Sequence, residues 1–316
     1  MSAPFEDYLA IDAANISTLG NLEPSTGGSP AWYRHCLDNP IEDRPVFVQG
    51  RATHTAVLEP EEFESRYVVL QGSVPSNWRE VYNNQDRFAV FPMDQGKVRR
   101  GKAWDKFSLE HGDDPRPILL ESEYDRCMEV GNHVGDCEIL TPAQRDTALL
   151  CAAAVHASTD AMAAIRGARY EETVSTTDPV TGLAIKGRLD IIKPSGIGDL
   201  KTTSKPIGPS VKFGFTRQAT DLLYHAKVVW YHDLAVLDGK IPRDASPPDI
   251  IAIEVRGTFV DVGWFPLSRE AVDAGRRTYR RWLDTLADCI AADYWPGAAP
   301  GRNEWTPEGW AAGMED

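Results

Sequence analysis

The chain has 316 residues, 42% hydrophobic and 25% charged, the make-up of a globular protein with a sizeable core. No apolar run approaches the length of a membrane span and no leader-like segment opens the chain, which argues against a transmembrane helix or signal peptide and predicts a cytoplasmic protein without a membrane partner. The net charge of −14 argues against a general nucleic-acid footprint, so any such binding has to be local.

Residues 1–27 are polar, end at a Gly-Gly pair, and read as a mobile arm. Residues 28–316 read as a single domain: a mainly helical part at 28–167, a sheet with helices at 168–298 and a tail at 299–316. Ser29 followed by Pro30 predicts a helix start, with Ser as N-cap and Pro at the first helical position. A second helix is expected from about Gly50 and carries His54; a lone histidine there is ordinarily a packed or capping residue. Residues 71–140 are poorly informative, apart from helical periodicity over Ile118–Met128. Thr141-Pro142 opens a strong helix expected to run to about Gly167. Arg169 begins the first core strand, which carries Glu171 and Glu172. Two aliphatic runs around Pro194–Gly196 predict a β-hairpin. A long amphipathic helix is expected over Phe215–Leu237, then buried strands at 247–255 and 260–266, and a Ser268-capped helix to about Ala292. The five cysteines (Cys36, Cys127, Cys137, Cys151, Cys289) are dispersed without a C-x-x-C, as expected for reduced thiols. Two basic clusters, Arg99, Arg100, Lys102 and Lys106, and then Arg276, Arg277, Arg280 and Arg281, are either local DNA contacts or solvated helix faces.

The hairpin carries the chemistry. If its strands pair symmetrically about the turn, Asp190 lies opposite Asp199, with Cβ atoms about 4.5–5.5 Å apart. Residues i and i+2 share a strand face, so Lys201 joins Asp199 and Arg188 joins Asp190. Two carboxylates that close repel unless a cation lies between them. A hard divalent cation such as Mg²⁺ answers that need, and a neighbouring lysine can orient and activate an attacking water. Spacing alone leaves a second reading equally open, in which both aspartates are solvated charges on an exposed face.

Gly187-Arg-Leu-Asp190 followed by Asp199-Leu-Lys-Thr-Thr203 resembles the signature of PD-(D/E)XK nucleases, and more narrowly the RecE (exonuclease VIII)-like phage recombination exonucleases. Gly50-Arg-Ala-Thr-His54 with Leu58-Glu-Pro60 and Phe63, and Ser29-Pro-Ala-Trp-Tyr33, are similar to phrases of the same group. The resemblance implies an α/β fold with a restriction-endonuclease-like core, a mixed central sheet flanked by helices. It implies an Mg²⁺-dependent exodeoxyribonuclease, accepting Mn²⁺, that degrades linear double-stranded DNA from its ends 5′-to-3′. The 3′ strands so exposed would go to a single-strand annealing recombination protein, and the enzyme would form a trimeric or tetrameric ring. The implied metal ligands are Asp190, Asp199, the Leu200 carbonyl, Glu171 or Glu172, and His54. Lys201 would activate water, Gln218 would face the scissile phosphate, and Arg99, Arg100, Lys102 and Arg188 would touch DNA. The family's Gln-x-x-x-Tyr pattern is broken here, because Leu222 stands where tyrosine is expected and Tyr224 follows. The alternatives are an endonuclease or single-strand nuclease of the same superfamily in DNA repair, or a non-catalytic scaffold that binds DNA ends.

Overall fold

The computed structural model describes residues 5–40, 44–70, 79–82, 87–91, 118–120, 133–134, 137–208 and 211–303. The chain opens with α1 (Phe5–Ala10), β1 (Ala14–Asn15) and α2 (Ile16–Leu19), the last capped by the Asn15 side chain, which accepts from Thr18 N. Ile16 and Leu19 are fully buried and Leu22 nearly so. Residues 14–22 are therefore part of the core and not of a mobile arm. Three apolar side chains at three-residue spacing suffice to dock a segment that is polar on average.

Helix α3 (Pro30–Asp38) starts as expected, with Ser29 Oγ accepting from Trp32 N. Helix α4 (Pro45–Leu58) begins earlier than Gly50, because Pro45 takes the first helical position. After α5 (Phe63–Arg66) come β2 (Tyr67–Leu70), β3 (Arg79–Tyr82), β4 (Arg87–Phe91), β5 (Ile118–Leu120), β6 (His133–Val134) and β7 (Cys137–Leu140). They form a six-stranded sheet ordered β5-β4-β3-β2-β7-β6. The part expected to be mainly helical thus holds a sheet, and Ile118–Leu120 is a strand where periodicity predicts a helix. Short apolar runs of this kind suit either structure, and pairing with β4 decides for the strand.

Thr141 caps α6 (Pro142–Ala157) through a reciprocal box with Gln144. The expected single helix breaks at Ser158, whose hydroxyl caps α7 (Thr159–Ile165) at a bend of 93°. No single helix among the described residues is long and apolar enough to cross a membrane.

The second sheet is built from β1 together with β8 (Arg169–Thr177), β9 (Ala184–Lys193), β10 (Gly196–Thr203), β11 (Asp249–Arg256) and β12 (Phe259–Pro266). Its order is β1-β9-β10-β11-β12, with β8 also on β9; β10 and β11 are parallel and the hairpins antiparallel, a mixed sheet. Strand alternation splits its apolar residues between two cores. Ile250 and Ala252 join one, with Trp230 and Trp282; Ile251 and Ile253 join the other, with Ala52, Cys151 and Val155. Helices α8 (Phe215–Asp221), α9 (Tyr224–Leu237) and α10 (Arg269–Ala292) complete the chain.

One detail of the topology places the site. Strand β8 occupies one edge of β9 over residues 184–192. The other edge is shared: β10 pairs with Ile191–Lys193 and β1 with Ile185–Lys186. Between these two short ladders, residues 187–190 have no strand partner on that edge among the described residues, and there the sheet opens.

Candidate metal centre

The hairpin register pairs Gly196 with Lys193, Ile197 with Ile192 and Gly198 with Ile191, so Asp190 and Asp199 are next in line, as expected. The ladder stops there. The Leu200 N–H donates instead to Asp190 Oδ2 at 2.8 Å, so a carboxylate takes the place of a main-chain acceptor and β10 continues alongside β11. The fork carries both aspartates.

Three donors converge at the fork. His54 from α4, Glu171 from β8 and Asp190 from β9 offer ligand atoms all within 4.8 Å of one another. His54 Nδ1 lies 3.5 Å from Glu171 Oε1 and 3.7 Å from Asp190 Oδ2. Glu171 stands opposite Asp190 in the register and has φ of 50°, a left-handed conformation costly for a residue with a side chain. Glu172 lies away from the cluster, held by Arg169 at 2.7 Å and Lys240 at 3.6 Å.

Asp199 is not one of the three. It is 2% exposed, and its Oδ2 lies 2.5 Å from Lys201 Nζ; apart from that ion pair the oxygen has no hydrogen-bond partner. Lys201 Nζ also donates to the Leu200 carbonyl at 3.2 Å. Arg188, expected to face DNA, holds Glu171 Oε2 at 3.0 Å with a largely buried side chain. Gln218 accepts from Thr203 Oγ1 at 2.5 Å, two residues beyond Lys201 on the same strand.

The electrostatics are those of crowded like charges. Burial, reinforced by Asp199, raises Asp190 to about 7 despite His54 beside it. Burial disfavours a charged His54, but Asp190 and Glu171 outweigh it and raise the imidazole to about 9. Burial also opposes ionisation of Glu171, yet His54 and Arg188 keep it below its ordinary value. Asp199 and Asp190 overcome burial at Lys201 and hold its ammonium above its ordinary range. Excess negative charge and an imidazole, beside a buried aspartate paired with a lysine, are a donor set that fits a divalent cation.

Three neighbours on α9 were given no role by the sequence. Tyr224 has Lys201 Nζ 5.7 Å from its ring centre, Lys227 lies over the same ring, and partly buried Tyr231 feels the charges of Asp199, Asp190 and Glu171. Their spacing at i, i+3 and i+7 marks one helix face and is legible in the sequence. The expected continuous helix hides the alignment. The chain breaks at Leu223, in the left-handed region at φ 56°, and α9 restarts at Tyr224, which turns that face toward Lys201.

Of the basic clusters, Arg99, Arg100, Lys102 and Lys106 lie outside the described residues. In the other, Arg276 pairs with Asp233, Arg280 with Asp178 and Arg281 with Glu23. Those three guanidiniums tie α10 to the body of the protein, and Arg277 is exposed.

The pattern of a family described as a PDDEXK-like domain of unknown function (DUF3799) matches residues 31–304. A crystal structure of a candidate exonuclease from Eubacterium rectale superposes over 100% of both chains, with a TM-score of 0.52 at 10% identity, a likeness of fold. No curated protein sequence matches the chain.

Proposed function

Because this chain belongs to the PDDEXK-like DUF3799 family and carries that nuclease fold, we propose that it is a divalent-metal-dependent DNA exonuclease. The observation that carries the reading is the convergence of His54, Glu171 and Asp190 beside the Asp199–Lys201 pair. His54, Glu171 and Asp190 would hold Mg²⁺ or Mn²⁺, with Asp199 and the Leu200 carbonyl as further candidate ligands. The bound cation supplies Lewis-acid stabilisation of charge on a phosphodiester.

The chain's own residues do the rest. The Lys201 ammonium has three donors and no acceptor, so it orients an attacking water by donating to it and faces the negative charge that grows on phosphorus. With its proton held by Asp199 and Asp190, it serves as a donor. Arg188 fixes Glu171, Thr203 fixes Gln218, and the Tyr224 ring covers Lys201 from one side.

Attack from ends, 5′-to-3′ polarity, a ring-shaped homo-oligomer and hand-over of 3′ strands to an annealing protein are supported by the likeness of the hairpin and His54 phrases to RecE-like exonucleases. The test uses linear duplex DNA labelled at either end, closed circular DNA, Mg²⁺ or Mn²⁺, and an Asp190→Ala control. Early release of the 5′ label with circles intact is expected. Cut circles would make the protein an endonuclease. Intact DNA under every condition would remove the enzyme and leave a DNA-binding scaffold.

A further inference from the structure

The connection from β10 to α8 has no role in the chemistry above, yet it is built and placed in a particular way. It leaves β10 directly after Thr203. A four-residue step spans at most about 14 Å, so Lys205 lies within a few nucleotides' reach of Lys201. Its base is pinned. The Ile207 N–H donates to Glu254 Oε2 at 2.9 Å, and the Phe215 N–H donates to the Pro206 carbonyl at 2.8 Å, so the two ends meet. Ile207 and Phe215 are buried beneath it. Gly214 permits the closure, since a Cβ there would stand 2.5 Å from the Pro206 carbonyl oxygen. A surface connection whose ends are joined is a common carrier of function.

What the loop presents is unusual for so acidic a chain. Between Asp199 and Asp221 there is no acidic residue, while Lys201, Lys205, Lys212 and Arg217 all fall in that stretch. Lys205 and Lys212 are exposed, and among the described residues neither is ion-paired; Arg217 is shared with Asp221 at 2.9 Å. Phe213 is 71% exposed beside Val211 at 39%, and Lys212 Nζ lies 5.5 Å from its ring centre. An exposed aromatic ring among exposed lysines, beside a site proposed to cleave phosphodiesters, is the pairing that grips a nucleic-acid strand: cations on phosphates and a ring under a base.

We infer that this loop is the DNA-strand grip of the protein, with Lys205 and Lys212 on backbone phosphates and Phe213 stacked on a base of the unpaired strand beside the scissile bond. The inference rests on the nuclease reading and deepens it.

Binding of the full chain in EDTA, where no cleavage occurs, tests it by anisotropy of labelled single-stranded DNA and of a duplex with a single-stranded end. Phe213→Ala is expected to weaken binding about 10-fold, within the range of one stacked base, and Phe213→Trp to keep it. Lys205→Ala with Lys212→Ala is expected to lower the slope of log K against log salt by about 1.4, at about 0.7 per single-strand phosphate contact. Unchanged affinity in Phe213→Ala, or a change of oligomeric state by light scattering in its place, would overturn the grip; the second would make the face a contact between copies. The two readings fail separately: a wild type that leaves DNA intact with Mg²⁺ and Mn²⁺ sinks the nuclease, while the binding series alone judges the loop.

Discussion

Asp190 and His54 carry protons that a metal ion has to displace. With Asp190 raised to about 7 and His54 to about 9, both are largely protonated at pH 6. Ligation needs the carboxylate and the neutral imidazole, so metal affinity rises with pH through this range and binding releases protons. Calorimetry with Mn²⁺ at pH 6 to 9, in buffers of different ionisation enthalpy, should show both; affinity independent of pH would place the ion elsewhere. The two adjacent glutamates separate cleanly at this scale. Glu171→Gln is expected to cost at least about 100-fold in DNA degradation, in the range of a lost charged catalytic group, whereas Glu172→Gln, remote from the cluster, should change it by less than about 3-fold. Equal losses in both variants would contradict the assignment of the site to Glu171. Residue types in the strand left these two open, because both lie near its start, where an acid is tolerated on either face. The choice comes from Arg169 and Lys240, which claim Glu172 across distances the sequence does not show.

Among the elements, α10 is held by charge and by close approach. Gly275 lies where a Cβ would stand 2.5 Å from the His225 carbonyl oxygen on α9. Gly275→Ala gains about 1 kcal/mol of helix propensity. Overpacking costs about 1–3 kcal/mol, at the high end against unyielding backbone, so net destabilisation is expected and a lower urea midpoint would show it. The Arg280 guanidinium grips Asp178, which is 1% exposed, with one contact at 3.0 Å. Burial opposes this charge, yet Arg280 and Thr181 hold the Asp178 carboxyl down at about 2, below its ordinary 3.8. A depressed carboxyl stabilises the fold above its unfolded value, and that contribution fades as pH falls from about 4 toward 2. Arg280→Ala should cost about 2 kcal/mol at pH 7, discounted for the partly exposed arginine, and less at pH 3; an equal loss at both would mean that the pair contributes packing alone. Helices α3, α6 and α10 were legible from their caps, since Ser29, Thr141 and Ser268 act within one turn. The breaks at Ser158 and Leu223 were not, because neither residue type demands a break and the packing of the following helix imposes it.

For the whole molecule, the N-terminal segment is the sharpest contrast between polarity and packing. Lys186, nearly buried, donates to the Tyr8, Leu9 and Ile11 carbonyls at 2.9, 3.3 and 2.7 Å, closing the end of α1 over the sheet. Deleting residues 1–22 would strip Ile16 and Leu19 from the core, at about 2–5 kcal/mol for each large aliphatic side chain lost. A truncated protein that still unfolds cooperatively, with an undiminished denaturant midpoint, would refute that. The resemblance of its motifs implied the nuclease-type α/β fold; the residues by themselves determined the hairpin with its register and the residue types of the site. These follow from short-range rules: alternation along a strand, a turn at Pro194–Gly196, and chemistry that needs clustered carboxylates near a lysine. Only the tertiary structure decided which carboxylates share one point in space. Asp190 is drawn to Glu171 and His54, while Asp199 pairs with Lys201, because β9 gives its edge to β10 and β1 in turn and opens between them. That opening depends on strands about 170 residues apart in the chain, Ala14 on Ile185 among them, and no local pattern encodes a contact of such span.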